Sequence, residues 1–218
     1  MSPLYAVFGM SGFGREVIPL ARDQLRRVGV SSDRLVFVDD APSAASANGH
    51  MVLTYREYLE MPASERFVVF AIANSKIRER LVVRCASDGV LPWSIKAENV
   101  VEMDEVEIGE GAILCPFVTL TSNIRIGIQF HANIYSYVAH DCVIGNFVTF
   151  APAVKCNGNI VIEDHAYIGA GAVIKQGRPG RPLVIGRGAV VGMGAIVTKD
   201  VPAGATVVGN PAKQMFKG

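Results

Sequence analysis

The chain has 218 residues, half of them apolar, with 21 basic and 20 acidic side chains and a net charge of +1. That balance gives no reason to expect a nucleic-acid or anionic-membrane partner, and the length allows one large core or two modest ones. Its four cysteines (Cys85, Cys115, Cys142, Cys156) show no C-x-x-C spacing, which fits reduced thiols in a cytoplasmic protein.

In chain order, the first element is an apolar strand, Leu4 to Phe8. It is too short for a signal-peptide core, and no later apolar stretch reaches the roughly 18 residues of a membrane span. The strand runs into a glycine-rich turn (Gly9, Ser11, Gly12, Phe13, Gly14) and then a helix with Val17, Ala21, Leu25 and Val28 on one face. A second strand, "LVFVDD", ends at Asp39 and Asp40; a third, "FVVFAIA", ends at Ala73 and Asn74 before a helical "SKIRERLVVRCA". Alternating strands and helices predict an α/β unit over residues 1–97 with a small parallel, Rossmann-like sheet, its ligand outside the carboxyl ends of the strands. Those ends supply the candidate substrate-binding set: Gly9, Ser11, Gly12, Phe13, Gly14, Asp39, Asp40, Ala73 and Asn74. The spacing G-x-x-G-x-G departs from the dinucleotide fingerprint, yet it still lets backbone N–H groups approach a phosphate; an unliganded tight turn is the plain alternative. The segment is too short for a two-half NAD fold. Asp39 and Asp40 either cap turns or accept from ribose hydroxyls or a pyrimidine imide, which tilts the expectation toward a pyrimidine nucleotide.

From Ile108 the pattern changes. Stepping by six gives Ile108, Leu114, Leu120, Ile126, Ala132, Val138, Ile144, Phe150, Cys156, Ile162, Ile168 and Ile174, all apolar, with a second register four residues after each. Glycine often follows the first position, as at Gly109, Gly127, Gly145 and Gly169. The register breaks at "KQGRPGRPLV" and resumes at Ile185, Val191 and Val197. A hexapeptide period predicts an all-β parallel β-helix over residues 98–218, with three hexapeptides per triangular coil of eighteen residues, an extruded loop at 175–184 and a C-terminal tail.

The two halves together, with "FGMSGFG", "FVDD", "AIANSKIR", "AHDCVIG", "VKCNGN" and "VVGNPAK", resemble the bacterial nucleotide-sugar acetyltransferases of the PglD, NeuD and PerB type over nearly the whole chain. The resemblance implies a left-handed β-helix and acetyl transfer from acetyl-CoA to the amino group of a nucleotide-linked amino sugar, for surface glycan biosynthesis. It also implies a homotrimer with its sites between neighbouring prisms. His140 lies between the core positions Val138 and Cys142, so its side chain projects outward, and Gly158 stacks one coil above at about 4.8 Å, the spacing of neighbouring strands. Glycine there keeps space above the imidazole open. His140 is therefore the candidate general base, Asp141 the residue that orients its ring, and the Gly158 N–H the donor to the developing oxyanion. Asp141 has an alternative as one rung of a polar ladder with Asn123 and Asn159. The family's cofactor groove carries over to Thr149, Ala170 and Met193. Better-known members have a second histidine where Thr149 stands; His131, one coil below, is either a partial substitute or an ordinary surface residue. Arg178, Arg181 and Lys213 are candidates for the coenzyme phosphates, or merely solvated cations. Cys142 and Cys156 are inward-facing packing residues.

Three rival readings accompany this one. A γ-carbonic-anhydrase-like zinc site fails on spacing, since His131, His140 and His165 occupy different places in their hexapeptides, and no metal is expected. O-acetylation of a sugar such as sialic acid stays open, as does a non-catalytic nucleotide-sugar-binding scaffold.

Overall fold

The structure, a computed structural model, describes residues 2–215 and divides into two compact units, Met1–Lys96 and Ala97–Gly218. In the first, β1 (Leu4–Phe8) is central, flanked in parallel by β2 (Leu35–Val38) and β5 (Arg66–Phe70). β3 (Ser46–Ala47) and β4 (His50–Leu53) form a short antiparallel pair beyond β2, and β6 (Leu91–Pro92) lies beyond β5, giving the order β3-β4-β2-β1-β5-β6. Helix α1 (Gly12–Arg27) buries Gly14, Val17, Ile18, Ala21 and Leu25. Val28 was expected on that face; it is instead the C-cap and 72% exposed. The helix closes in a Schellman motif, Gly29 N–H bonding the Arg26 carbonyl (3.1 Å) and Val30 N–H the Leu25 carbonyl (3.0 Å), which turns Val28 out to water. Helix α2 (Tyr55–Glu60) opens on a capping box between Thr54 and Glu57, and α3 (Ser75–Ser87) follows β5.

The second unit is a left-handed parallel β-helix. Three short strands make each coil, as in Tyr137–Val138, Cys142–Ile144 and Thr149–Phe150. Neighbouring coils pair in parallel eighteen residues apart: Tyr137 with Lys155, Cys142 with Ile124, Thr149 with Tyr167. Both apolar registers point inward, and Leu120, Phe130, Val148, Phe150, Ile160 and Ile168 belong to one continuous buried column. Phe130 and Phe150 meet there edge to face, 5.2 Å apart.

The turns hold the handedness. From Phe117 to His165 every sixth residue has φ between 56° and 64°, the left-handed region, although none of these is glycine. Each such residue costs on the order of 1–3 kcal/mol in isolation. The ladder hydrogen bonds and the buried column on either side offset that strain, so the turns persist only as part of the stack. Above the loop the pairing is twenty-three residues apart (Val161 with Val184, Tyr167 with Val190, Val173 with Ile196), so five residues are extruded and the ladder continues unbroken.

Phe150→Ala should lower unfolding stability by about 3–5 kcal/mol, since a rigid column collapses poorly around a lost ring. Denaturant titration should show the midpoint falling with an unchanged slope.

Candidate active site

At the carboxyl end of the α/β sheet, two glycines shape the turn after β1. Gly9 has φ +103°, and a Cβ on Gly14 would fall 1.8 Å from the Gly9 carbonyl oxygen, so both positions exclude a side chain. Ser11 caps α1 with its backbone while its hydroxyl makes no cap bond, and the first turn carries no acidic residue. A helix start of this kind, with Gly12 and Phe13 in its first turn, favours an anion.

The polar residues predicted here have partners already. Asp39 ties the turn to the end of β2, its carboxylate accepting from Met10 N–H (3.3 Å) and Ala41 N–H (3.0 Å). Asp40 pairs with Arg84 at 3.2 Å, and that guanidinium lies 4.0 Å from the Tyr55 ring centre. Asn74 is the N-cap of α3, its Oδ1 accepting from Lys76 and Ile77 N–H, both at 3.1 Å. Sequence reasoning missed Arg78. It is fully buried and donates through Nη1 to the carbonyls of Ile72 (2.5 Å) and Ala73 (3.4 Å), so it fixes the loop that carries Ala73. Burial pushes its pKa down to about 9, which leaves the guanidinium charged at neutral pH.

On the β-helix, His140 stands at the turn between strands Tyr137–Val138 and Cys142–Ile144. Its Nδ1 is 2.7 Å from Asp141 Oδ2, and its side chain is 48% exposed. Asp141 is a left-handed turn residue (φ 58°), and its other oxygen accepts from Asn123 Nδ2 at 3.3 Å, one rung of the ladder counted from the sequence. Aspartate reaches the ring because the left-handed turn folds its short side chain back toward position 140. Gly158 corrects one expectation. The room left by its missing Cβ does not stay open but is filled by the ring: a Cβ there would lie 2.5 Å from His140 Cε1 and 2.6 Å from Nε2, so the imidazole packs directly on the glycine backbone.

The extruded loop rises from this same corner. Gly177 N–H donates to the Gly158 carbonyl (3.0 Å) and Leu183 N–H to the Asn159 carbonyl (3.2 Å), while Arg178 and Arg181 close the loop tip through paired backbone bonds. Between the loop and Thr198–Asp200 lies a groove of about 380 Å³ lined by Lys175, Arg178, Arg181 and Lys199, with Asp200 the one acid among its lining residues. Lys175 and Lys199 were not foreseen, because nothing in their spacing ties them to the loop arginines.

Other predicted residues stand elsewhere on the chain. Thr149 is buried on the face that carries Tyr167–Ile168 and Val190–Val191. Ala170 and Met193 lie at the next corner, where Met193 is 83% exposed. Lys213 is on the antiparallel strand Lys213–Gln214 of that face, away from the loop arginines. His131 is paired in register with Thr149 as counted, but it is only 1% exposed, so it is no surface histidine. Its outward position lies in a ladder with Ile113 and Thr149 that is buried throughout. His165 is a turn residue stacked on Phe147, 5.3 Å between ring centres, far in register from His140. Among the described residues no three potential metal ligands converge. Cys142 and Cys156 are both buried; contact with Cys142 together with burial pushes the Cys156 thiol well up, whereas the same contact draws the Cys142 thiol down.

The PglD N-terminal domain family matches residues 5–85. GDP-perosamine N-acetyltransferase of Escherichia coli O157:H7 is 55% identical to this chain over 97% of its length and 96% of the relative's. WeeI from Acinetobacter baumannii AYE superposes with a TM-score of 0.96 at 59% identity, covering 98% of this chain and 100% of that one. The acetyltransferase domain of PglB from Neisseria gonorrhoeae FA1090, solved in complex with acetyl coenzyme A, gives a TM-score of 0.86 at 26% identity, covering 99% and 100%.

Gly158→Ala should displace the His140 ring while leaving the β-helix intact. A crystal structure of the variant should show Nδ1 moved out of hydrogen-bonding reach of Asp141 Oδ2, with an unchanged circular dichroism spectrum; an undisturbed imidazole would refute the packing argument.

Proposed function

The chain belongs to the family of bacterial nucleotide-sugar N-acetyltransferases that includes GDP-perosamine N-acetyltransferase, and on that premise we propose that it moves the acetyl group of acetyl-CoA to the amino group of GDP-perosamine. The observation that carries this reading is the His140–Asp141 pair packed against the Gly158 backbone. The neutral amine attacks the thioester carbon as His140 Nε2 takes its proton. Asp141, bonded to Nδ1, holds the tautomer and stabilises the imidazolium. The carbonyl oxygen gains charge next to the Gly158 N–H, which has no acceptor among the described residues. Collapse expels the coenzyme thiolate, and the imidazolium returns the proton to it, so the products are the N-acetyl sugar and free CoA thiol.

The glycine turn and the start of α1 take the diphosphate. A guanine base replaces the pyrimidine first expected: the carboxylates that suggested a pyrimidine are engaged by Met10, Ala41 and Arg84, and the 55% identical relative is named for a GDP sugar. Arg178 and Arg181, joined by Lys175 and Lys199, meet the coenzyme phosphates from the loop groove. Ala170 and Met193, both exposed, reach the coenzyme from a second copy, whereas Thr149 is buried on its own face. Two features support that assembly: Ala170 and Met193 are not at the His140 corner of their own chain, and their corner also carries an exposed Phe117–Tyr135 stack, 4.9 Å between ring centres, suited to burial between copies of a homotrimer. No helix among the described residues is long and apolar enough to cross a membrane, and four free cysteines fit a cytoplasmic site of action.

His140→Ala should reduce kcat by at least about two orders of magnitude while acetyl-CoA affinity stays within a few fold. Thiol release with GDP-perosamine, set beside other amino and hydroxyl sugar nucleotides, measures this; near-normal turnover removes the base assignment, and no release with any amino sugar redirects the proposal to a hydroxyl acceptor or a scaffold. Replacing both Arg178 and Arg181 by alanine should raise the KM for acetyl-CoA about tenfold or more with kcat retained. Sedimentation should give a trimer that Tyr135→Glu dissociates.

A further inference from the structure

The Asn157–Gly158 turn is held from three sides, one of the bonds falling on the peptide that joins the two residues. Inside the prism, Cys142 Sγ donates to the Asn157 carbonyl at 3.2 Å. On the outer face, Asn157 Oδ1 accepts from the Tyr137 hydroxyl at 2.9 Å, and Asn157 Nδ2 donates to the Ile174 carbonyl at 2.7 Å. Above, the Gly158 carbonyl accepts from Gly177 N–H at 3.0 Å. Tyr137 is one strand before His140 and Ile174 belongs to the coil above, so the Asn157 side chain links the coils on either side of its own, next to the glycine that packs on the imidazole.

A glycine beside a reacting group carries a specific hazard. Without a Cβ its backbone rotates freely, and a small rotation turns the N–H away from its target. Amide donors stabilise a developing oxyanion only when they are aimed in advance. The amide orientation of Asn157 is itself unambiguous, because the Ile174 carbonyl accepts and never donates, which sends Nδ2 toward it and leaves Oδ1 for Tyr137.

We propose that Asn157, secured by Tyr137, is a positioning residue that aims the Gly158 N–H at the thioester oxygen. This rests on the reading of that N–H as the oxyanion donor. Neither side chain touches the reacting atoms; Tyr137 acts through Asn157, and Asn157 through the peptide it shares with Gly158. The carbonyl bond from Cys142 polarises the same peptide in the direction that strengthens its N–H as a donor.

The test uses the intact protein with Asn157→Ala, Tyr137→Phe and the double variant. Asn157→Ala should lower kcat by about tenfold to a hundredfold, with KM for acetyl-CoA and for acceptor within about twofold. Tyr137→Phe should give a smaller loss, and the double variant should be no worse than Asn157→Ala alone, because the two act in series. A purely structural role predicts the opposite split, a lower melting temperature with kcat per folded enzyme unchanged. Infrared spectroscopy of bound acetyl-CoA labelled at the thioester carbonyl separates the two levels of the argument. In the wild type its carbonyl band should move to lower frequency than in solution, and Asn157→Ala should return it toward the solution value. No shift in the wild type sinks the donor reading itself. A wild-type shift that survives in Asn157→Ala, with kcat unchanged, sinks the positioning role alone.

Discussion

Each coil of the prism hangs on the next by main-chain hydrogen bonds, repeating every eighteen residues up to the extruded loop, and the placement of His140, Asp141 and Gly158 follows from that registry. It is possible only because the chain accepts a left-handed residue at each corner. A strained backbone at regular intervals would unravel on its own. Stacked between coils above and below, the same residues become fixed points, and one of them, Asp141, carries a carboxylate that the turn aims back at its neighbour.

The column also explains how a half-exposed histidine is held in one orientation. His140 is fixed at Nδ1 by Asp141 and on the side of the next coil by the Gly158 backbone, leaving its outer edge to solvent. Rigid elements hold reactive groups better than loops do. A corner of a β-helix unites the two advantages, since its backbone is ladder-bound while its side chains face outward.

The β-helix was the most legible part of the chain, because a period of six recurs often enough to mark the inward positions, and from Ala112 onward those positions are buried in the structure. The contact between His140 and Gly158 followed from the same counting. Its nature did not: only coordinates reveal that the ring occupies the volume a side chain would fill. In the α/β unit the major strands and helices were readable from their apolar runs. Val28 went astray because a helical wheel carries no information about where a Schellman turn ends the helix. The capping box at Thr54 and Glu57 was present in the sequence as T-x-x-E and passes unnoticed when no strong apolar run follows it. Arg78 could not be recognised, because a buried guanidinium bound to main-chain carbonyls leaves no mark on sequence spacing. The cationic groove was half visible: two arginines in the loop announce themselves, whereas Lys175 and Lys199 join them only once the five extra residues are folded out of the ladder.

Those five residues leave the column at a corner, and the strands on either side resume their pairing as though nothing had been inserted. The column is thus indifferent to how much chain is spliced in at that point. Variation in the length and charge of this segment changes what stands at the His140 corner without moving a single inward side chain, so evolution, or a designer grafting a foreign segment there, is free to retune that corner while inheriting the scaffold unchanged.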